Sequence, residues 1–361
     1  MLHIQKRHIF SSTHAIIDKY FTNNTLFFDI ETTGFSPNTS SVYLIGTLTK
    51  DGEHLVIDQF FATAKEEEQE ILRSFHEMIQ NYSTIISFNG LGFDIPFLEA
   101  KNKEYSISEA YFTHTFIDIY KEIKKSKHLL KLENYKQKTI EKFLGVSRDD
   151  QFSGGELIPI YEAYTKHLDK ESEEYLLLHN YEDVIGMLDL LPALSYTKNL
   201  QGSYSIASIE TSTYLTHDGD EAEELIITLN NKYTIPSRAS YSDQCFYYTM
   251  HKDTTKIRIP IFEGELKYFY TNFKDYYYLP KEDMAIHKSV ATFVDKEYRE
   301  KAKSSNCYTR KFGRFIPQTT TIQSPIFLKE YKDKISYFEL TKDFIESEIM
   351  LKKYINHILQ P

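Results

Sequence analysis

The chain has 361 residues, of which 41% are hydrophobic and 26% charged, a globular balance with length enough for about two domains. No stretch reaches the roughly 18 uninterrupted apolar residues of a membrane helix, and the charged N-terminus lacks the apolar run of a signal peptide. Two cysteines, Cys245 and Cys307, outside any C-x-x-C pair, exclude a disulfide framework and a zinc-thiolate cluster, so a reducing cytoplasm is the expected location.

The formal charge is −10, and it is unevenly spread: residues 1–200 hold 20 Lys and Arg against 30 Asp and Glu, while the remainder holds 22 of each. A globally acidic chain is not an obvious nucleic-acid binder. The surplus carboxylates are either solvated surface or a metal site.

In chain order, 25–30 (TLFFDI) reads as a buried strand, followed by strands at 42–48 and 53–61 joined by Asp51-Gly52, a hairpin dipeptide. Residues 65–82 take helical spacing, with Ile71, Leu72, Phe75 and Ile79 on one face. A fourth strand at 84–88, a helix at 93–103 and a fifth strand at 112–119 follow. From 121 to about 191 the pattern is helical, broken by a loop at 147–155. This alternation predicts an α/β layer fold with a mixed five-stranded sheet flanked by helices over residues 1–200. Beyond about 200, alternating segments at 224–229, 256–262 and 265–270 predict a smaller β-rich module over 201–361, ending in a helix at 341–359.

Four acids stand out. Asp29 and Glu31 are two apart in an apolar strand and therefore share a face; they are a strand-end pair reaching solvent or a lysine, or they serve a cation. Asp94 follows the glycine turn Asn89-Gly90-Leu91-Gly92-Phe93 and enters a helix, where an N-cap is the simple account. Asp183 lies four residues after His179, so both project from one helix face. Taken together and in this order, a strand D-x-E, a post-strand N-x-x-x-F-D and a helical H-x-x-x-D meet the demand of two divalent ions clamping a phosphodiester, and carboxylate oxygens suit Mg²⁺ or Mn²⁺.

FFDIETTGFSP, SFNGLGFDIPFLEAK and HNYEDVIGML resemble the three motifs of the DEDD 3′–5′ exonucleases, whose fold is ribonuclease-H-like. With FIDIY at 116–120, KTIEKFLGVSRDDQFSGGE at 138–156 and the tyrosines of 161–164, residues 22–195 resemble the YprB-type ribonuclease-H-like domain. The resemblance implies that Asp29, Glu31, Asp94 and Asp183 are metal ligands, and that Thr32, Thr33, Gly34, Asn89 and Phe93 hold the terminal nucleotide. The family orients its attacking water with a tyrosine four before the last acid or a histidine five before it. Here the histidine, His179, stands in the tyrosine register, and with a reference pKa near 6.5 it is suited to act as the general base.

Seven lysines from Lys121 to Lys138, and a cluster of Arg299, Lys301, Lys303, Arg310, Lys311 and Arg314 among Tyr298, Tyr308, Phe312 and Phe315, are solvated faces and core on one reading and a single-strand grip on the other. No P-loop, nucleophile elbow or H-x-x-x-H zinc helix is present. The sequence thus points to a metal-dependent 3′–5′ exonuclease acting on nucleic acid with a free 3′ end, preferably single-stranded. The alternatives are an inactive nucleic-acid-binding or assembly protein on a nuclease fold, and an endonuclease or resolvase using the same metal site.

Overall fold

A computed structural model describes residues 1–12, 14–107, 114–150 and 152–360. It divides into two compact units: Met1–Asn199 with Asn231–Ala239 and His251–Asp253, and Leu200–Asn230 with Ser240–Met250 and Thr254–Pro361. No helix among the described residues is long and apolar enough to cross a membrane.

The first unit is built on a mixed sheet of six strands: β1 (Leu2–Ile9), β2 (Thr25–Thr32), β3 (Val42–Asp51), β4 (His54–Phe61), β5 (Thr84–Ser87) and β6 (Thr115–Asp118). The spatial order is β1-β4-β3-β2-β5-β6, with β2, β5 and β6 parallel and the rest antiparallel. The expected count of five is therefore one short. The additional strand, β1, pairs with β4 along its whole length, from Leu2 opposite Phe61 to Ile9 opposite His54. It is an edge strand whose side chains are almost all exposed, so it carries no apolar period to read; His3 and Gln5 instead bond the buried Asp58 carboxylate at 2.7 and 2.9 Å. In the β3–β4 hairpin, Asp51 pairs with His54, so the turn residues are Gly52 and Glu53 rather than Asp51 and Gly52. The start of the fifth expected strand, at residues 112 and 113, lies outside the described residues.

Strand alternation decides which face each side chain meets. Leu26, Phe28 and Ile30 of β2 join a core with Ile71, Leu72, Phe75 and Ile79 of α2 (Glu68–Ile79) and Phe97 and Leu98 of α3 (Asp94–Glu104). The expected helical tract after β6 resolves into α4 (Ile119–Lys124), α5 (Lys127–Leu130), α6 (Gln137–Leu144), α7 (Gly154–His167) and α8 (Lys170–Leu190), then α9 (Leu194–Leu200). Helices α7 and α8 supply Leu157, Tyr161, Tyr164 and Leu176 to a second core with Tyr43, Leu44 and Phe61. Asp29 and Glu31, alternating with Phe28 and Ile30, therefore face α8.

A second sheet, most of it in the second unit, holds β7 (Tyr204–Leu215), β8 (Glu221–Ser242), β9 (Tyr247–Phe269), β13 (Tyr308–Gln318) and β14 (Ser336–Glu339) in the order β14-β13-β9-β8-β7; residues 231–239 of β8 and 251–253 of β9 belong to the first unit. A smaller sheet holds β10 (Tyr276–Leu279) between β11 (Met284–His287) and β12 (Glu300–Lys301), the short α10 (Lys288–Ala291) following β11. The alternating segments of the sequence fall inside strands far longer than their apolar cores. The expected terminal helix is two, α11 (Lys342–Glu346) and α12 (Glu348–Leu359), parted at Ser347, whose hydroxyl accepts the Met350 N–H. Phe246, Phe338 and Phe344 pack around Tyr354, whose hydroxyl donates to the Pro317 carbonyl at 2.6 Å.

Candidate active site

Three backbone features deliver the four acids to one place. Asp29 and Glu31 leave the same face of β2, just before a register shift between Glu31 and Thr32. The chain leaving β5 turns through Asn89, in the left-handed region at φ +61°, and through Gly90; its backbone is held by the Asn89 N–H donating to Asp118 Oδ1 at 3.0 Å. That turn starts α3 at Asp94, whose Oδ1 accepts the Ile30 N–H at 3.3 Å. Asp94 is thus tied across to β2 as well as heading its helix. Asp183 comes from α8, which N-caps on Asp169 and lies over β2 and β3.

Among the described residues, Glu31, His179 and Asp183 form a group whose ligand atoms all lie within 4.8 Å of one another, and Asp29 and Asp94 are not part of it. His179 Nε2 is 3.2 Å from Asp183 Oδ2 and 3.6 Å from Glu31 Oε1. Asn180, one residue on, donates from Nδ2 to Asp29 Oδ2 at 3.3 Å and is itself oriented by Gln59, whose Nε2 donates to Asn180 Oδ1 at 3.1 Å. Among the described residues, neither Asp29 nor Asp94 has an ion-pair partner, and Glu31 has only His179. Asp183 alone has a full cation, the Arg148 guanidinium, which also forks onto the buried Glu141.

Unpaired buried carboxylates resist ionisation. Burial, and then repulsion by Asp183, Glu31 and Asp94, pushes Asp29 well above the ordinary carboxylate range. Burial and then the charges of Asp183, Asp94 and Asp150 do the same to Glu31. Burial raises Asp94 to about 7 against the hydrogen bond from Ile30. A divalent cation would relieve the repulsion of all four groups at once. A donor set of carboxylate oxygens has the chemistry of a Mg²⁺ or Mn²⁺ site, and the His179 imidazole stands beside it.

The residues expected to hold a nucleotide lie beside these acids in sequence and have distinct surroundings. Thr32 Oγ1 donates to the Gly34 carbonyl at 2.8 Å, and Thr33 is clasped to Ser41 through its N–H and its hydroxyl. Asn89 is exposed, and Phe93 packs between Phe97 and Phe35. Phe35, 86% exposed, was not singled out by spacing because it lies beyond the strand in an irregular turn. Tyr181 points away from Asp183: its hydroxyl lies 3.1 Å from His8 Nε2, and Lys6 sits over its ring.

Four further residues support the site. Asn180 was not singled out in the sequence, although its place three before Asp183 on the same helix face is the signal that marks it. Arg148, Asp150 and Glu182 carry no such signal: Arg148 and Asp150 come from the loop before α7, and Glu182 faces that loop, accepting the N–H groups of Asp149 and Asp150 at 3.0 and 2.8 Å.

The basic groups are only partly paired, and Lys121, Lys124, Lys127, Lys131 and Lys136 are exposed. Lys138 meets Asp150 at 2.8 Å, and Lys125 pairs with Glu122. In the second unit, Arg310 faces Glu265 and Asp283, Lys311 pairs with Glu339, and Arg314 pairs with Glu223, while Tyr308 and Phe315 are buried. In the same cluster Arg299 lies over the Tyr277 ring, and Lys301, Lys303, Tyr298 and Phe312 are exposed.

Residues 26–195 match the family model described as RNase H superfamily. The chain has no match among curated protein sequences. Among solved structures, it is similar to the family B DNA polymerase from the hyperthermophilic archaeon Pyrobaculum calidifontis, at 18% identity and TM-score 0.39 over 49% of this chain and 26% of the polymerase. It is also similar to exonuclease I of E. coli in complex with a dT13 oligonucleotide, at 10% identity and TM-score 0.29 over 57% of this chain and 55% of that protein. The chain thus spans about a quarter of the one and a little over half of the other. The family match takes in five of the six strands, β2 to β6, and the helices α2 to α8, and leaves β1 outside; the fold of residues 26–195 is RNase-H-like.

Proposed function

We propose that this protein is a metal-dependent 3′–5′ exonuclease of the DEDD group, with a YprB-type nuclease domain, which hydrolyses terminal phosphodiesters of DNA or RNA and releases nucleoside 5′-monophosphates. What supports the reading is that Asp29 lies within the electrostatic reach of Glu31, Asp94 and Asp183, and that three of these four acids have no Lys or Arg partner among the described residues. Repulsion of this size is retained in a fold only where something offsets it.

Asp29, Glu31, Asp94 and Asp183 are assigned as the residues that hold two Mg²⁺ or Mn²⁺ ions. Such ions, when bound, supply the positive charge that stabilises the attacking and leaving oxygens of an in-line displacement. The chain's own groups do the rest. His179 Nε2 orients the attacking water and takes its proton. Asn180 keeps Asp29 from rotating out of place. The turn 32–34, Asn89 and Phe93 contact the terminal nucleotide, and the exposed Phe35 ring against Phe93 offers a face on which a splayed base stacks.

The test is a digestion of end-labelled single- and double-stranded DNA and RNA with Mg²⁺ or Mn²⁺, with the products sized. Mononucleotides released progressively from the 3′ end, and lost in Asp183→Ala, are the expected result. Cleavage of closed circles points to an endonuclease. Binding with no release under either ion overturns the catalytic reading in favour of a nucleic-acid-binding role.

A further inference from the structure

The loop between α6 and α7 places a buried carboxylate directly behind His179. Asp150 Oδ2 lies 2.8 Å from His179 Nδ1, with the two side chains only 2% and 5% exposed. The other ring nitrogen, Nε2, faces Glu31 and Asp183. The imidazole is therefore bracketed: one nitrogen is committed to Asp150 and the other is presented to the acids.

Asp150 is itself over-determined. Its Oδ2 also accepts from Lys138 Nζ at 2.8 Å, and its Oδ1 accepts the Phe152 N–H at 3.0 Å. The backbone N–H groups of Asp149 and Asp150 are gripped by the two oxygens of Glu182. Glu182 is three residues after His179 on α8, so one helix both presents the histidine and pins the loop that supports it. These partners outweigh burial and hold the Asp150 carboxyl below its ordinary value. An ionised carboxylate can only accept, so the shared proton resides on Nδ1.

We propose that Asp150 is a positioning residue for His179: it fixes the ring orientation and keeps Nδ1 as the hydrogen-bond donor, so that Nε2 is the nitrogen turned toward the reacting centre. A carboxylate behind an imidazole is a recurrent way of setting which ring nitrogen is presented. It also accounts for a histidine working from the tyrosine register. A phenol needs no tautomer set, whereas an imidazole in the same place does. This inference rests on the nuclease reading for its consequence but not for its geometry.

Two measurements test it. In metal-free protein with ¹⁵N-labelled histidine, His179, assigned by its loss in His179→Gln, should show a slowly exchanging, downfield proton on Nδ1. That proton should be absent or strongly shifted in Asp150→Asn. A His179 without a proton on Nδ1 in the unsubstituted protein overturns the proposal, whatever the enzyme does. In the digestion assay, Asp150→Asn should lower kcat by about 10- to 100-fold with KM within about twofold. Full kcat in Asp150→Asn overturns the positioning role while leaving the nuclease reading intact. Absence of activity in the unsubstituted protein overturns the nuclease reading and leaves the NMR measurement to decide the role of Asp150.

Discussion

Gly46 lies directly beneath Asn180: a Cβ built on Gly46 would fall 2.1 Å from Asn180 Oδ1 and 2.8 Å from Val184 Cγ2. Gly46 is also the cross-strand partner of Asp29. The missing side chain on β3 is what lets α8 approach closely enough for Asn180 to reach Asp29 and for Asp183 to join the site. Gly46→Ala should cost about 1–3 kcal/mol in urea denaturation and reduce nuclease activity, because α8 must lift. Gly155→Ala, where a Cβ meets nothing within 4 Å, is the control, with stability unchanged or higher by up to about 1 kcal/mol.

On the proposed function, Asp29 is a place where stability is given up for metal binding. Its carboxyl is buried among three other acids and held far from its ordinary pKa by burial and by their charge. Asp29→Asn keeps the shape and removes the cost of burying an ionisable group among the other acids. In EDTA at neutral pH, the variant should melt roughly 2–4 °C higher, a gain of about 1 kcal/mol for a domain of this size, while nuclease activity falls by 100-fold or more, about 2.7 kcal/mol. A variant that melts lower in EDTA would show that the acids are not in net repulsion.

The raised carboxyls dictate the sign of the pH dependence. Asp94 has a folded pKa of about 7 against an ordinary 3.8, so the folded state binds its proton more tightly than the unfolded chain does. Its stabilising contribution is full below the ordinary value and is lost as pH rises through that window; Asp29 and Glu31 act in the same direction. The metal-free protein should therefore melt at a lower temperature at about pH 8 than at about pH 5. Mn²⁺ or Mg²⁺ should raise the melting temperature more at the higher pH, since ions bind the deprotonated acids. Calorimetric scans with EDTA and with each ion check both signs.

Arg148 has a structural duty separable from chemistry. Its guanidinium forks onto Glu141, which is 1% exposed, and reaches Asp183. Gly186 makes room for this contact, since a Cβ there would lie 2.3 Å from Glu141 Oε1. Arg148→Ala strands a buried charge and should cost about 3–5 kcal/mol in chemical denaturation. Pairing it with Glu141→Gln should recover more than half of the loss, and the difference between single and double variants measures the coupling.

Much of the site was legible because its signals are local. Asp29 and Glu31 share a face by the period of a strand, Asp94 follows a glycine turn, and His179 and Asp183 share a helix face; each statement needs only a few neighbouring residues. Helix α2 was legible for the same reason, its apolar stripe of Ile71, Leu72, Phe75 and Ile79 being complete in sequence. Strand β1 was not, since an edge strand exposes its side chains and makes its case only by pairing with β4.

What the sequence by itself determined is the order of an α/β domain and the spacing that singles out four acids and a histidine as candidates. What the tertiary structure decided is their company. Asp150 meets His179 across 29 residues, Arg148 meets Asp183 across 35, and Gly46 admits Asn180 from a helix more than a hundred residues away. Such contacts depend on which surfaces close on one another, and closure is set by the packing of the whole sheet and its helices rather than by the residues adjacent in the chain. Charge shows the same division: the surplus of carboxylates is a fact of composition, but only the fold concentrates four of them where three have no Lys or Arg to answer them.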